Sequence, residues 1–209
     1  ATLGDLKTVE RISNAGSDLL IEDTEGNTAL CRAILEEKDD VADFISKRLT
    51  DLEKAEYCNS RVDRLLEPDE VTINGITQYY DEVLYPVLLH LCKYDHLRSA
   101  LKSSRLIQHL VSIAYRYIEH SQVVAQSCFI CTMLMFRYSS GTDERFVSQF
   151  QAASGPDFIL HALGVFDSYP GGLVAETDVT TNCFLSFLPL TESSKGQAWI
   201  KQNSLRLST

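Results

Sequence analysis

The residues best suited to chemistry are six cysteines, five histidines and several clustered carboxylates, and their spacing decides what they could do. Cys128-x-x-Cys131 has the interval of a metal-binding or redox pair. A structural zinc site needs about four ligands, commonly a second such pair or two histidines at set spacing, and the sequence holds no second pair. A redox pair belongs where a helix opens after a strand, whereas both cysteines lie inside the apolar run Val123–Phe136. Core packing is their expected role. His90, His96, His109, His120 and His161 place no pair at i, i+4 around a Glu, the spacing by which one helix face offers two imidazoles to a metal.

Other chemistries lack their parts. Gly155-Pro156 and Gly171-Gly172 are not followed by the Lys-Ser/Thr of a phosphate-cradling loop, and no serine sits in the Gly-flanked turn that exposes a nucleophile. Asp39-Asp40 stands at a helix start, where the macrodipole favours carboxylates. The chain is therefore expected to be no enzyme, with no catalytic residue, cofactor or metal. Tyr79, Tyr80, Tyr85, Tyr94, Tyr115 and Tyr117 are spaced as on helices, and such tyrosines serve either packing or partner contacts.

Composition narrows the class. With 209 residues, 44% of them hydrophobic, 10 Gly and 5 Pro, the chain can bury a substantial core in one domain or two. No run approaches the roughly 18 apolar residues of a membrane span, and the first residues do not form a signal peptide. The cysteines lack the density of a disulfide scaffold and no Asn-x-Ser/Thr sequon occurs, so the cytoplasm or the nucleus is the expected compartment. The net charge of -10 is unevenly placed: residues 1–82 hold 20 acids against 9 Lys and Arg, and residues 83–209 hold 9 against 10. An acidic N-terminal portion argues against a nucleic-acid groove there; the acids serve either the solubility of a repeat protein or a basic or amphipathic peptide partner.

The elements that position these residues begin with Asp18–Leu49. Within it Asp23, Gly26, Thr28, Leu30 and Ala33 fall at fixed offsets, with Gly26 placed for a left-handed turn and Thr28 placed to cap the helix that follows. The stretch resembles an ankyrin repeat, with Ala29 at the family's Pro and Cys31 at its His. Gly4–Asp18 reads like the second helix and exit of a preceding unit, closed by Gly16; a shift of about 33 residues lays Val9 on Ala42, Ile12 on Ile45 and Asp18 on Asp51. The pattern opens part-way through a unit, so the array is expected to extend beyond Ala1. Residues 1–51 thus hold about one and a half ankyrin units.

Residues 52–78 form a helix and a junction. Apolar positions from Leu52 to Leu66 keep helical spacing, Glu67-Pro68-Asp69-Glu70 breaks it, and Asn74-Gly75 between short β-prone runs predicts a hairpin or inserted loop.

From Tyr79 the pattern is helical throughout. Val83–Cys92, Leu97–Leu101, Leu106–Ile118 and Val123–Phe136 are successive apolar or amphipathic segments. The short, medium and long order of the last three resembles an armadillo repeat, and Arg98 keeps that family's Arg while Leu97 and Arg105 stand at its Asn and Gly. Further passes begin at Glu144-Arg145-Phe146-Val147, leading to Phe158–Leu163, and at Gln197-Ala198-Trp199-Ile200. Cys128-Phe129-Ile130 recurs as Cys183-Phe184-Leu185 about 55 residues on, longer than the family period of roughly 40–47 and consistent with an extra loop at Ser168–Gly172. Residues 79–209 are read as two or three armadillo-like units, the last cut by the end of the sequence.

Together the resemblances imply an all-α, right-handed α-solenoid and a noncatalytic scaffold or adaptor that binds a protein or peptide, with no nucleic acid, membrane or small-molecule substrate. Ankyrin units bind through finger tips, which places Glu22, Asp23, Thr24, Glu25 and Asn27 at the interface and predicts a basic partner whose binding weakens with salt. Armadillo units bind along the long third helix, which adds His90, Tyr94, Gln126 and Arg137, with His90 where the family has its groove Asn. Two other readings stay open: a recognition or regulatory region of a larger enzyme such as a ubiquitin ligase or kinase, and an obligate self-associating subunit.

Overall fold

Glycines, prolines and capping hydroxyls set where the helical pattern turns. The computed structural model describes residues 6–63, 80–93, 95–103, 105–137, 141–170 and 177–203. Helix α1 (Leu6–Asn14) exits through Gly16, whose φ of 83° is the left-handed conformation this turn needs. Gly26, with φ 78°, closes the turn before α2 (Ala29–Leu35), where the Asp23 amide donates to Asn27 O and the Gly26 amide to Asp23 O. The Thr28 hydroxyl accepts from the Cys31 amide at 3.3 Å and caps α2, as its place in the sequence predicts. The chain reverses at Glu37, with the Lys38 amide donating back to Ala33 O, and enters α3 (Asp39–Arg48). Thr50 and Glu53 open α4 (Asp51–Asp63) with a reciprocal cap, each side chain accepting from the other's amide. The hairpin expected at Asn74-Gly75 lies outside the described residues.

Pro86 shapes the next entry. It has no amide proton to give the preceding turn, and its ring crowds the carbonyl four residues back. The chain comes in as a wide π turn, Tyr80–Leu84, before α5 (Tyr85–Lys93). Then follow α6 (Asp95–Ala100), a 3₁₀ turn at Leu101–Ser103, α7 (Leu106–Arg116) and α8 (Ser121–Met135). An antiparallel pair of two-residue strands, β1 (Phe136–Arg137) and β2 (Gly141–Thr142), leads out of α8. Strands so short carry no alternation that a sequence could reveal. α9 (Glu144–Ala152), α10 (Gly155–Asp167) and α11 (Thr177–Glu192) then repeat the short, medium and long order at 9, 13 and 16 residues, and α12 (Ser194–Gln202) closes the described chain. Apart from the strand pair, the described residues are all-α.

Packing follows length class. Long helices stack as α5 on α8 on α11, medium ones as α4 on α7 on α10, and short α9 packs on α12. Cys128 Sγ lies 3.8 Å from Cys183 Sγ and Thr132 Oγ1 lies 2.9 Å from Ser186 Oγ, so α8 and α11 run parallel. One continuous set of buried side chains joins Val9, Leu30 and Ile45 to Leu88, Leu110, Ile130, Phe146, Phe166 and Leu190. Each fully buried Leu, Ile or Phe contributes about 1.5–3 kcal/mol, so the N-terminal and C-terminal helices are held by a shared core.

One buried charge ties three elements at a corner. Arg98, 6% exposed, reaches from α6 to the end of α8, where its Nε and Nη2 both donate to Leu134 O. Asp143 caps α9 by accepting from the Arg145 amide and pairs with Lys102 at 3.0 Å and Arg98 at 3.9 Å. Burial pushes the Asp143 carboxyl up, but Lys102, the Arg145 amide and Arg98 outweigh it, and the group sits below its ordinary value. A depressed carboxylate stabilises the fold fully above its unfolded pKa, about 4, and loses that contribution as pH falls below it. Asp143→Asn is accordingly expected to soften the acid-side loss of stability while leaving its pH dependence above about 5 unchanged. Arg98→Ala should cost about 3 kcal/mol in urea unfolding, because it leaves the Leu134 carbonyl without its buried donor and takes the second cation from Asp143, which keeps Lys102.

Candidate functional site

The described cysteines are placed for packing. Cys128 and Cys131 are buried free thiols within α8. The facing Cys183 sulfur and burial push the Cys128 thiol well above its ordinary value, and burial pushes Cys131 up and Cys92 to about 12. Such thiols are poor nucleophiles and poor ligands at neutral pH. Among the described residues no group of three or more His, Cys, Asp or Glu side chains could hold a metal ion. His109 is buried in α7, while His161 lies exposed on α10 with its ring stacked on Tyr115, centroids 5.9 Å apart. A recess of about 240 Å³ between α7 and α9, lined by Arg105, Gln108, Gln149, Ala152 and Ala153, is smaller than the roughly 300–1,000 Å³ that encloses a drug-sized ligand.

The finger before α2 is built by the same acids that were expected to contact a partner. Glu22, Asp23, Thr24 and Glu25 are exposed. Asp23 Oδ1 accepts from the amides of Glu25 and Asn27, both at 2.9 Å, and so holds the loop's shape. The Asn27 amide and Arg32 hold the Asp23 carboxyl below the ordinary carboxylate range. Arg32 also pairs with Glu25 at 2.6 Å, so one cation offsets part of the tip's charge. Asn27 stands apart from the tip: it is 7% exposed, and its Oδ1 accepts from Cys31 Sγ. Arg32 went unnoticed because it lies nine residues past Asp23 and reaches back only when the turn has formed.

The long helices carry the second group. His90 is half-buried on α5 and Gln126 half-buried on α8, and these two helices pack on one another. Among the described residues the Gln126 Oε1 atom is buried without a hydrogen-bond partner. Tyr94 and the side chain of Arg137 lie outside the described residues; the Arg137 backbone is in β1.

More prominent on the long helices are uncovered apolar side chains that the sequence did not disclose. On α8 exposed Gln122 is followed by half-buried Gln126, Phe129 and Met133, and on α11 the exposed stripe runs Thr181, Phe184, Leu188. Phe184 is 56% exposed and Leu188 44%. Phe129 and Phe184 each follow one of the facing cysteines, and because the two helices run parallel the same 100° step turns them to opposite sides of the seam. Tyr85 of α5 meets Phe129 with ring centroids 6.5 Å apart, and Leu89 lies one turn further along α5. Of the i, i+4 apolar pairs on these helices, Phe184 and Leu188 stand exposed, while Tyr85, Leu89 and Met133 are partly buried against the core. The Cys-Phe echo at 128 and 183 was the available signal, but it does not tell which side of an apolar helix stays uncovered.

Comparison with family models, curated proteins and solved structures finds no match to this chain. Among the described residues no helix is long and apolar enough to cross a membrane.

Exposed apolar side chains that serve a partner and not the core can be replaced cheaply. Phe184→Glu and Leu188→Glu are expected to change unfolding free energy by no more than about 0.5 kcal/mol, whereas Phe166→Ala, fully buried one helix earlier, should cost about 3–5 kcal/mol. Urea titration of the three variants measures both.

Proposed function

We propose that the chain is a noncatalytic protein-interaction scaffold, a right-handed α-solenoid in which ankyrin-like units (1–51) continue through a junction (52–78) into armadillo-like units (79–209). The observation that carries this reading is the nearly regular chain separation of contacts between neighbouring helices. Arg48 donates to Asn14 Oδ1 across 34 residues, close to the ankyrin period of about 33. Further on, Arg105 meets Asn59 across 46 residues, Gln149 meets Lys102 across 47, Ser193 meets Glu144 across 49, Ser186 meets Thr132 across 54 and Cys183 meets Cys128 across 55. A globule folded about one centre scatters such separations, while stacked units repeat one step.

Stacking leaves each unit's outer faces uncovered, and that is where a partner docks. The exposed finger acids and the exposed apolar pair Phe184 and Leu188 of α11 are the two surfaces suited to it. Neither has the enclosed, polar-lined shape that would hold a small substrate. The apolar pair also fits a second copy of the chain, which is the self-associating alternative.

Selection of natural peptide segments on the immobilised chain, combined with light scattering of the free chain, tests the proposal. The expected result is a monomer that binds at least one segment saturably at micromolar or lower concentration. A folded monomer that binds no segment, or a dimer that persists on dilution, contradicts it.

A further inference from the structure

We propose that the recess between α7 and α9 binds a single carboxylate, the side chain of an Asp or Glu in the peptide segment that the chain takes up. The proposal rests on the scaffold reading and names one residue type that the partner carries.

The fold leaves the recess open and fixes its walls. α9 ends in Ala152 and Ala153, whose side chains are single carbons, so the space of about 240 Å³ against the start of α7 stays unfilled. On the α7 side the Arg105 amide donates to Asn59 Oδ1 of α4 at 3.2 Å, and Arg105 O accepts from the His109 amide at 3.0 Å. On the α9 side Gln149 Nε2 donates to Lys102 O at 3.0 Å and ties this helix to the turn that precedes α7. Both tethers join elements distant in sequence, so a ligand meets backbone walls that are already ordered.

The lining decides the occupant. Arg105, Gln108 and Gln149 bring its polar side chains, and no carboxylate lines the space. Among the described residues the Arg105 guanidinium has no ion-pair partner, whereas Lys102 is engaged with Asp143 at 3.0 Å and Arg98 donates to Leu134 O. A guanidinium offers two parallel N–H donors that match the two oxygens of a carboxylate, and the Gln108 amide adds donors beside them. One positive charge meets one negative charge. A phosphate monoester brings about two, and no second cation lines the recess to meet the other. An apolar side chain would strip water from the guanidinium and both amides and give no hydrogen bond in return.

Size and overall charge agree with this occupant. The recess is smaller than a site that encloses a whole small molecule, so it suits one side chain of a larger partner. Residues 1–82, with 20 acids against 9 Lys and Arg, repel an acidic side chain, while residues 83–209, with 9 against 10, do not. The recess lies in the second portion, so a partner of mixed charge sets its acid there.

NMR titration of the full chain with N-acetyl-glutamate N-methylamide near neutral pH tests the site, with the glutamine analogue and inorganic phosphate as the other arms. The glutamate probe is expected to shift the side-chain N–H signals of Arg105, Gln108 and Gln149, saturating at a concentration on the order of millimolar. The glutamine analogue should bind at least about 10-fold more weakly, and phosphate no more tightly than the glutamate probe. Arg105→Gln should abolish the shifts, and Lys38→Gln, at an exposed cation elsewhere, should leave them unchanged. Circular dichroism and thermal unfolding establish that each variant is folded. In segments selected on the chain, exchanging each Asp and Glu in turn for its amide is expected to find one position that costs about 10-fold on the parent chain and nothing further on Arg105→Gln, the coupling of a direct pair. No shift from the glutamate probe, equal shifts from the glutamine analogue, tighter binding of phosphate, or shifts that persist in folded Arg105→Gln overturns the proposal. If segments bind and none loses affinity on Arg105→Gln, this inference fails and the scaffold reading stands. If the glutamate probe fills the recess and no segment binds, the scaffold reading fails, and with it the occupant named here.

Discussion

The close seam between α8 and α11 is the contact on which the molecule's outer face depends. Cysteine, serine and threonine side chains meet there, and the Ser186 hydroxyl reaches both Thr132 and the Cys128 carbonyl of the neighbouring helix. Small residues let the two backbones approach, and their paired contacts fix one register over more than a turn. The exposed stripe of α11 inherits that register: with Cys183 and Ser186 on the seam, Phe184 and Leu188 are turned to solvent. At the end of α11 Pro189 omits one amide, and Gly196 of α12 approaches so closely that a Cβ there would lie 2.2 Å from Leu190 O. The last helix is thus locked to the same layer.

Local features were the most legible in the sequence. Gly26 and Thr28 define a turn and a cap by their own chemistry, and both act as expected without help from distant residues. The echo of Cys128-Phe129 in Cys183-Phe184 foretold a contact 55 residues apart, because stacked helices put equivalent positions together. Arg98 stood out as a charge in an apolar stretch, but its job as the cap of α8 depends on a chain reversal that no local pattern encodes. Asn27 was misplaced at the tip because a turn residue is ordinarily polar and outward, whereas this one is pulled inward by Cys31. Which apolar positions stay uncovered was the hardest to read. α8 is apolar on nearly every face, so its sequence cannot say which stripe a neighbour leaves uncovered.

The two candidate surfaces differ in the physics they offer. The finger tip is polar, and its charge is partly neutralised by Arg32, so contacts there weaken with salt and contribute modestly. Phe184 and Leu188 on α11 are apolar and uncharged, so on the scaffold reading contacts made through them persist at high salt.

The central claim is that the long helices stand in a row with α8 between α5 and α11. Spin labels attached through Leu89→Cys and Leu188→Cys in a Cys58→Ser background, with Cys31, Cys92, Cys128, Cys131 and Cys183 left buried, report the separation of the outer two by electron–electron dipolar spectroscopy. A row predicts a distance near 20 Å, two interhelix spacings of about 8–10 Å each. A distance near 10 Å, as in a bundle closed on itself, contradicts the row and the scaffold reading built on it.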